Sequence, residues 1–255
     1  MQVTAKTSTA TSLVKMEKIY KHFGGVVALQ DVDFDLNYNE IVGLVGDNGA
    51  GKSTLIKILS GALTPDDGKI YFEGNEVEIS NPKIAKELGI ETVYQDLALV
   101  ENLDVASNLF LGREFKKGVL GKLFGVIDKK RTYSEAEKVM RNLKIHIDSV
   151  KTIVQNLSGG QRQAVAIGKT VYLSPKVIIM DEPTAAIGVK ERKVILDLIL
   201  SLKEKGISVI FISHNIPEVF SVADRIVVLN RGVKVGDEKA SNLTVDDVVK
   251  LLVGS

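Results

Sequence analysis

The sequence predicts an α/β fold organised around a mostly parallel sheet. Three observations carry that expectation. Strand-like runs alternate with helix-like segments in the first and last hundred residues, the rhythm of a doubly wound sheet. Several strand runs, such as residues 40–45 (EIVGLV) and 176–180 (KVIIM), are almost continuously apolar, as expected of strands covered on both faces. A glycine-rich stretch at residues 46–54 (GDNGAGKST) joins one of these strands to a helix. With 255 residues, 45% of them hydrophobic, the chain can bury one large domain or one domain plus a subdomain.

Residues 1–12 (MQVTAKTSTATS) are polar and Ser/Thr-rich and read as a disordered tail, with no apolar segment of the signal-peptide kind. Residues 14–36 read as strands and turns, because Val32, Phe34 and Leu36 alternate with Asp33 and Asp35. After the strand at 40–45 and the glycine-rich loop, a helix spans about 53–59. TPDDG at 64–68 is a turn, and 69–79 holds further strands. Asn81-Pro82 opens a short helix that Gly89 closes, and 90–94 is another strand.

The stretch 97–157 contains no convincing strand. Residues 104–111 are expected to be helical. Ser134 with Glu137 makes a capping box for a helix running to about 143, and the glycine- and lysine-rich stretch 114–131 is expected to loop out. The α/β rhythm then returns. Helices are expected at about 158–173 (ending before Pro175), 189–205 (closed by Gly206), 217–223, and from Thr244 to a cap at Gly254. Strands are expected at 176–180, 207–212 and 225–229. The domains expected are therefore the tail 1–12, a core made of 13–95 and 158–255, and a helical subdomain at 96–157.

Net charge is +1, from 33 basic and 32 acidic residues, so no general nucleic-acid binder is expected. There is no cysteine, which excludes disulfide and thiolate chemistry. The longest apolar runs fall far short of the ~20 residues that a membrane-spanning helix needs. The chain is expected to be soluble by itself, so something else would hold it at a membrane.

Residues 46–54 match G-x-x-x-x-G-K-S/T in its required strand–loop–helix setting. The run Gly46, Asp47, Asn48, Gly49, Ala50, Gly51 turns backbone N–H groups toward phosphates. Lys52 reaches the β- and γ-phosphates, and Ser53, followed by Thr54, offers its hydroxyl to Mg²⁺. KVIIMDE ends a buried strand in two carboxylates, which cost free energy there unless they are paired or bind a metal. Alternation puts the two on opposite sides: Asp181 would hold Mg²⁺ and Glu182 would polarise the attacking water. His214 follows another apolar run, at the same edge of the sheet. Beside a nucleotide it would bond the γ-phosphate and fix the water. His22 and His146 lack such a setting and are read as solvated. Gln95 ends a strand; its amide could ligate Mg²⁺, or it could be a capping residue. In LSGGQ (157–161), Ser158, Gly159 and Gly160 stand before a helix, whose N–H groups and dipole favour an anion. Seen alone, SGG reads more readily as a plain glycine-rich helix start; since the loop at 46–54 already fills the phosphate need, a second anion-seeking helix end makes sense if it meets the phosphate of another nucleotide.

Together these motifs resemble the ATP-binding cassette (ABC) ATPases over nearly the whole chain. The order matches: GDNGAGKST (Walker A), Gln95 in VYQD (the Q-loop), LSGGQ (the signature), VIIMDE (Walker B) and His214 in ISHN (the H-loop). The resemblance implies a phosphate-loop NTPase of RecA-like fold with an N-terminal antiparallel β subdomain and an inserted helical subdomain. It implies ATP and Mg²⁺ as ligands. In that family two cassettes pair head to tail, so Ser158, Gly160 and Gln161 would contact a partner's ATP. Phe23, or else Tyr20, falls where the family stacks an aromatic ring on adenine. The helical region with Gln95 would receive a coupling helix from a membrane permease, placing the chain on the cytoplasmic face of the cell membrane.

QDLALVENLDVASNLFLGRE, DEPTAAIGVKE and ISHNIPEVFSVADRIVVL look like the monosaccharide importer ATPases, many of which are two fused cassettes. With one cassette here, a homodimer is implied, working with permeases and, indirectly, a sugar-binding protein. The family's S-A-L-D after Pro183-Thr184 is replaced by Ala185-Ala186-Ile187-Gly188, without the aspartate. Other readings of the same motifs are an ABC ATPase acting on nucleic acid or ribosomes, an ABC subunit for a non-sugar substrate, and a regulatory module without catalysis.

Overall fold

The computed structural model describes residues 12–118, 125–185 and 187–253. The tail at 1–11, the cap at Gly254 and Ala186 lie outside the described residues.

The strands β1 (Val14–Phe23) and β2 (Val26–Leu36) form an antiparallel hairpin. With β4 (Asp67–Phe72) and β5 (Asn75–Val77) they make a four-stranded antiparallel sheet in the order β2-β1-β4-β5. The other sheet has six strands in the order β10-β9-β3-β8-β7-β6. These are β3 (Ile41–Val45), β6 (Ile90–Val93), β7 (Val177–Asp181), β8 (Ser208–Ile212), β9 (Arg225–Asn230) and β10 (Val233–Lys239). Every pairing in it is parallel except that of β9 with β10.

The helices are α1 (Lys52–Leu59), α2 (Pro82–Leu88), α3 (Val105–Leu109), α4 (Lys129–Asn142), α5 (Gly159–Val171), α6 (Val189–Glu204), α7 (Ile216–Val222) and α8 (Val245–Val253). The parallel strands are buried on both faces, and alternate residues enter different cores. Ile178 and Met180 of β7 and Val209 and Phe211 of β8 pack with α3–α8. Val177, Ile179, Ile210 and Ile212 pack with α1, α2 and the antiparallel sheet. One face is therefore covered largely by a second sheet, where a doubly wound arrangement would place helices.

The cap signals behave as expected at α2, where the Asn81 side chain accepts from the Lys83 and Ile84 N–H groups and Gly89 closes the helix with φ 89°. The expected capping box at Ser134 is wrong. α4 begins six residues earlier, at Lys129 with Asp128 as its N-cap, because the Asp128 carboxylate accepts from the Arg131 N–H and so satisfies an open donor of the first turn. Thr132 Oγ1 also donates to the Asp128 carbonyl, and Ser134 is an exposed mid-helix residue. The expected loop at 114–131 accordingly gives up its last residues to α4. Between 97 and 157 the only β pairing among the described residues is two isolated bridges. β10 was not expected. Its VKVGDEK is charged and glycine-broken, which suits an exposed edge strand but gives little strand signal.

Candidate active site

The carboxyl ends of four neighbouring parallel strands carry the expected residues. β3 leads into Gly46, β8 into Ser213 and His214, β7 ends at Asp181 before Glu182, and β6 ends two residues before Gln95. The registers Leu44↔Ile212 and Asp181↔Ile212 align the first three ends. Val93↔Met180 puts Gln95 at the level of Glu182. Open sheets bind ligands at this edge.

The phosphate loop leans on the rest of the chain. Gly51 has φ 103°, and a Cβ there would lie 2.8 Å from the Ala28 carbonyl oxygen, so both conformation and space demand glycine. Gly51 is also the N-cap of α1, with no side-chain cap on that helix. Asp47, Asn48 and Gly49 are exposed, Ala50 is buried, Ser53 is exposed on the first turn, and Thr54 is half-buried. Lys52 Nζ donates to the carbonyls of Gly46 and Asp47, at 2.5 and 3.1 Å. Burial lowers the Lys52 ammonium from its ordinary range, against the pull of Glu182, Asp181 and Asp47. Burial likewise raises the Asp181 carboxyl, with Lys52 and Lys57 opposing. At both groups desolvation outweighs the attraction of the neighbouring opposite charges.

Asp181 shares strand parity with Val177 and Ile179 and so faces the α1 side. The alternation stops at Glu182, which has φ 52°. That left-handed turn, secured by the Glu182 N–H bonding to the Ile212 carbonyl, brings Glu182 Oε2 to 2.8 Å from His214 Nδ1. Glu182 is largely covered (18% exposed), whereas His214 is open (74%). A pocket of about 280 Å³ lies beside the pair, lined by Gly46, Asp47, Asn48, His214 and Leu252. The lining by Leu252 of α8 was not foreseen.

No cluster of three or more His, Cys, Asp or Glu residues suited to a metal occurs among the described residues. The donors here are the Ser53 hydroxyl, the Asp181 carboxylate and the exposed Gln95 amide. These are hard oxygen groups too few for a protein cage, which fits Mg²⁺ held mainly by phosphates and water.

Phe23 ends β1 at the hairpin tip, 48% exposed, with Lys21 Nζ 5.6 Å from its ring centre. Asp66 bonds Lys21 Nζ and His22, which hold its carboxyl at about 2. His22, expected to be only solvated, is thus exposed but paired; His146 is exposed. The middle of β2, rather than the tip, adjoins the phosphate loop, through bonds from the Gln30 N–H to the Gly232 carbonyl and from the Gly232 N–H to the Ala50 carbonyl. Tyr20 is half-buried, its ring centre 6.1 Å from that of His22.

The LSGGQ segment is a different helix start. Ser158 caps α5 in a full capping box: the Gln161 N–H donates to Ser158 Oγ, and Gln161 Oε1 accepts from the Ser158 N–H. Gly160 is buried, and a Cβ on it would lie 2.6 Å from Glu191 Cβ of α6. Bonds from Ser158 and from the Gly188 and Gly160 N–H groups hold the Glu191 carboxyl below its usual range. No hydrogen bond among the described residues joins Ser158 or Gln161 to the phosphate loop, Asp181, Glu182 or His214.

A profile of the family described as "ABC transporter" matches residues 29–185, more than half of the chain. The chain is 46% identical over 242 residues to the xylose/arabinose import ATP-binding protein of Sulfolobus acidocaldarius, covering 95% of this chain and 94% of that one. It is 44% identical over 239 residues to the fructose import ATP-binding protein of Rhizobium meliloti, covering 93% and 92%. A ribose import ATP-binding protein of Streptomyces avermitilis is 40% identical over 247 residues, and the match spans only 46% of its length. Among solved structures, the ADP conformation of an ATP-binding cassette of an ABC transporter superposes with a TM-score of 0.82 at 28% identity, covering 96% of this chain and 99% of that one. A dimeric post-hydrolysis cassette bound to ADP and Pi gives 0.73 at 25% identity, covering 89% and 98%.

Proposed function

The chain belongs to the ABC transporter family as an ATP-binding, ATP-hydrolysing subunit, and from that premise we propose that it powers import of a monosaccharide. The observation that supports the mechanism best is the 2.8 Å contact of Glu182 with His214 beside the phosphate loop. Lys52 and the loop N–H groups bind the β- and γ-phosphates. Ser53, Asp181 and Gln95 would hold Mg²⁺, which neutralises phosphate charge when bound. Glu182 accepts a proton from the attacking water, and His214, oriented by Glu182, holds the γ-phosphate. Phe23, at the exposed hairpin tip, stacks on adenine.

Ser158, Gly159, Gly160 and Gln161 complete the site of a second copy of the chain. The absence, among the described residues, of any hydrogen bond from Ser158 or Gln161 to the phosphate loop, Glu182 or His214 supports this. So does the cassette with ADP and Pi, which is itself dimeric. ATP would close the dimer, and hydrolysis with release would reopen it.

No helix among the described residues is long and apolar enough to cross a membrane. The chain works on the cytoplasmic face through permease subunits, which receive sugar from a separate sugar-binding protein. A groove of about 460 Å³ between β6, α3 and α5, lined by Tyr94, Leu97, Leu111, Arg113 and Lys169, suits a helix from the permease. The helices between 97 and 157 act as the subdomain that carries one wall of it. The xylose/arabinose and fructose relatives, matched end to end, favour a monosaccharide as the cargo.

Glu182→Gln tests the mechanism: turnover falls by about 100-fold or more while an ATP-bound dimer accumulates on size exclusion. Wild-type hydrolysis by that variant removes Glu182 from the role of base.

A further inference from the structure

Glu218, on α7, is 11% exposed, and its carboxylate is fully engaged. Oε2 accepts from Thr184 Oγ1. Oε1 accepts from Asn215 Nδ2 at 2.9 Å and meets Arg192 NH1 at 3.5 Å. Arg192 in turn donates from Nε to the Ile187 carbonyl at 3.1 Å. Thr184, itself 4% exposed, lies two residues after Glu182, and Asn215 lies one residue after His214. One buried carboxylate therefore touches both loops that carry the Glu182–His214 pair, and reaches through Arg192 to the loop where Gly188 replaces the family's aspartate.

Simple helix capping does not account for this arrangement. Asn215 is the N-cap of α7, and its side chain accepts from the Glu218 N–H. In a capping box the Glu218 carboxylate would return to the Asn215 N–H. Here that N–H bonds to Ser213 Oγ at 3.1 Å, and the carboxylate instead meets the Asn215 side-chain amide, Thr184 and Arg192. A largely buried carboxylate is tolerated only with such partners. The His214 side chain, by contrast, is open, and its one hydrogen bond among the described residues is to Glu182. Its direction is set by where its loop sits.

We infer that Glu218 is a positioning residue, clamping the Thr184 and Asn215 loops so that Glu182 and His214 stay within hydrogen-bond reach. The inference rests on the proposed roles of that pair in hydrolysis.

The test uses the full chain with Glu218→Ala, Glu218→Gln, Thr184→Val and His214→Ala, measuring ATPase kinetics well below each variant's melting temperature. Glu218→Ala is expected to lower kcat about 10- to 100-fold with KM for ATP within about 2-fold, since misplacing a reacting group by ~1 Å can cost that much. Glu218→Gln, which can still bond Thr184 and Asn215, should recover kcat to within about 5-fold of wild type. A crystal structure of Glu218→Ala should show the Glu182–His214 contact opened. A purely structural role predicts a lower melting temperature with wild-type kcat per folded molecule and an intact contact, and that result overturns the inference. Should Glu218→Ala fail to fold, Thr184→Val carries the test, with kcat expected to fall about 3- to 10-fold; wild-type kcat there overturns it too. His214→Ala separates the two levels. If it loses turnover while Glu218→Ala does not, the clamp is wrong and the pair stands. If it keeps wild-type kcat, the pair itself is wrong and the clamp has nothing to serve.

Discussion

The two helix starts proposed to meet phosphate are finished differently. α1 begins at Gly51 in a left-handed conformation, with no side chain on its open N–H groups and Lys52 beside them. α5 begins at Ser158 inside a complete capping box, with Gln161 returning the bond and Glu191 packed beneath Gly160. Open backbone donors at a helix start attract an anion at any time. Capped donors are already satisfied, so binding there must offset the exchange of partners. The difference fits the proposed roles, in which α1 is a standing nucleotide site and α5 engages phosphate only when a second molecule presents it.

The largest expected effect comes from testing the two starts against each other. Lys52→Ala should weaken ATP binding by the isolated chain about 100-fold or more, through loss of a charge-assisted phosphate contact. Ser158→Arg should leave that binding within about 2-fold while abolishing turnover, because the arginine blocks only the shared face. Fluorescent-nucleotide titration with a parallel ATPase assay reads both. Equal loss of binding in both variants would erase the distinction.

A smaller effect sharpens the standing site. Asp181 is raised by burial, so its charge costs stability in the folded state. A carboxyl whose folded pKa is raised favours the fold below its ordinary value of 3.8, and that advantage is lost as pH rises through the folded value. Asp181→Asn should therefore stabilise the fold near pH 7 by at most about 0.5 kcal/mol, or roughly 1–2 °C, because the half-buried group is partly screened by solvent, and by less as pH falls toward 3.8. Calorimetry across pH checks this. An unchanged or lowered melting temperature at pH 7 would show that Lys52 and Lys57 compensate the charge fully.

Much of this was legible in the sequence, for reasons that differ by residue. The buried strands announce themselves because both faces are apolar, as in VIIM of β7 and SVIFI of β8. Asn81 and Gly89 are readable because capping chemistry is local. The start of α4 was misread because two local signals competed, and Asp128 with its Arg131 and Thr132 bonds prevailed over Ser134. β10 was missed because an edge strand with one solvated face can be charged. The covering of one face by the antiparallel sheet, and the Thr184 and Arg192 contacts of Glu218, depend on residues far apart in the chain that no local pattern records. Gln95 keeps its place at the strand edge, yet among the described residues its exposed side chain has no hydrogen bond that separates a ligand from a cap.

The shared site is tested most directly by mixing Lys52→Ala and Ser158→Arg chains, each inactive alone. A mixed dimer pairs the intact phosphate loop of one chain with the intact Ser158 of the other. Equal, randomly paired amounts should thus recover roughly a quarter of the wild-type ATPase activity per site. A mixture as inactive as its components would contradict the account and put the complete site within one chain.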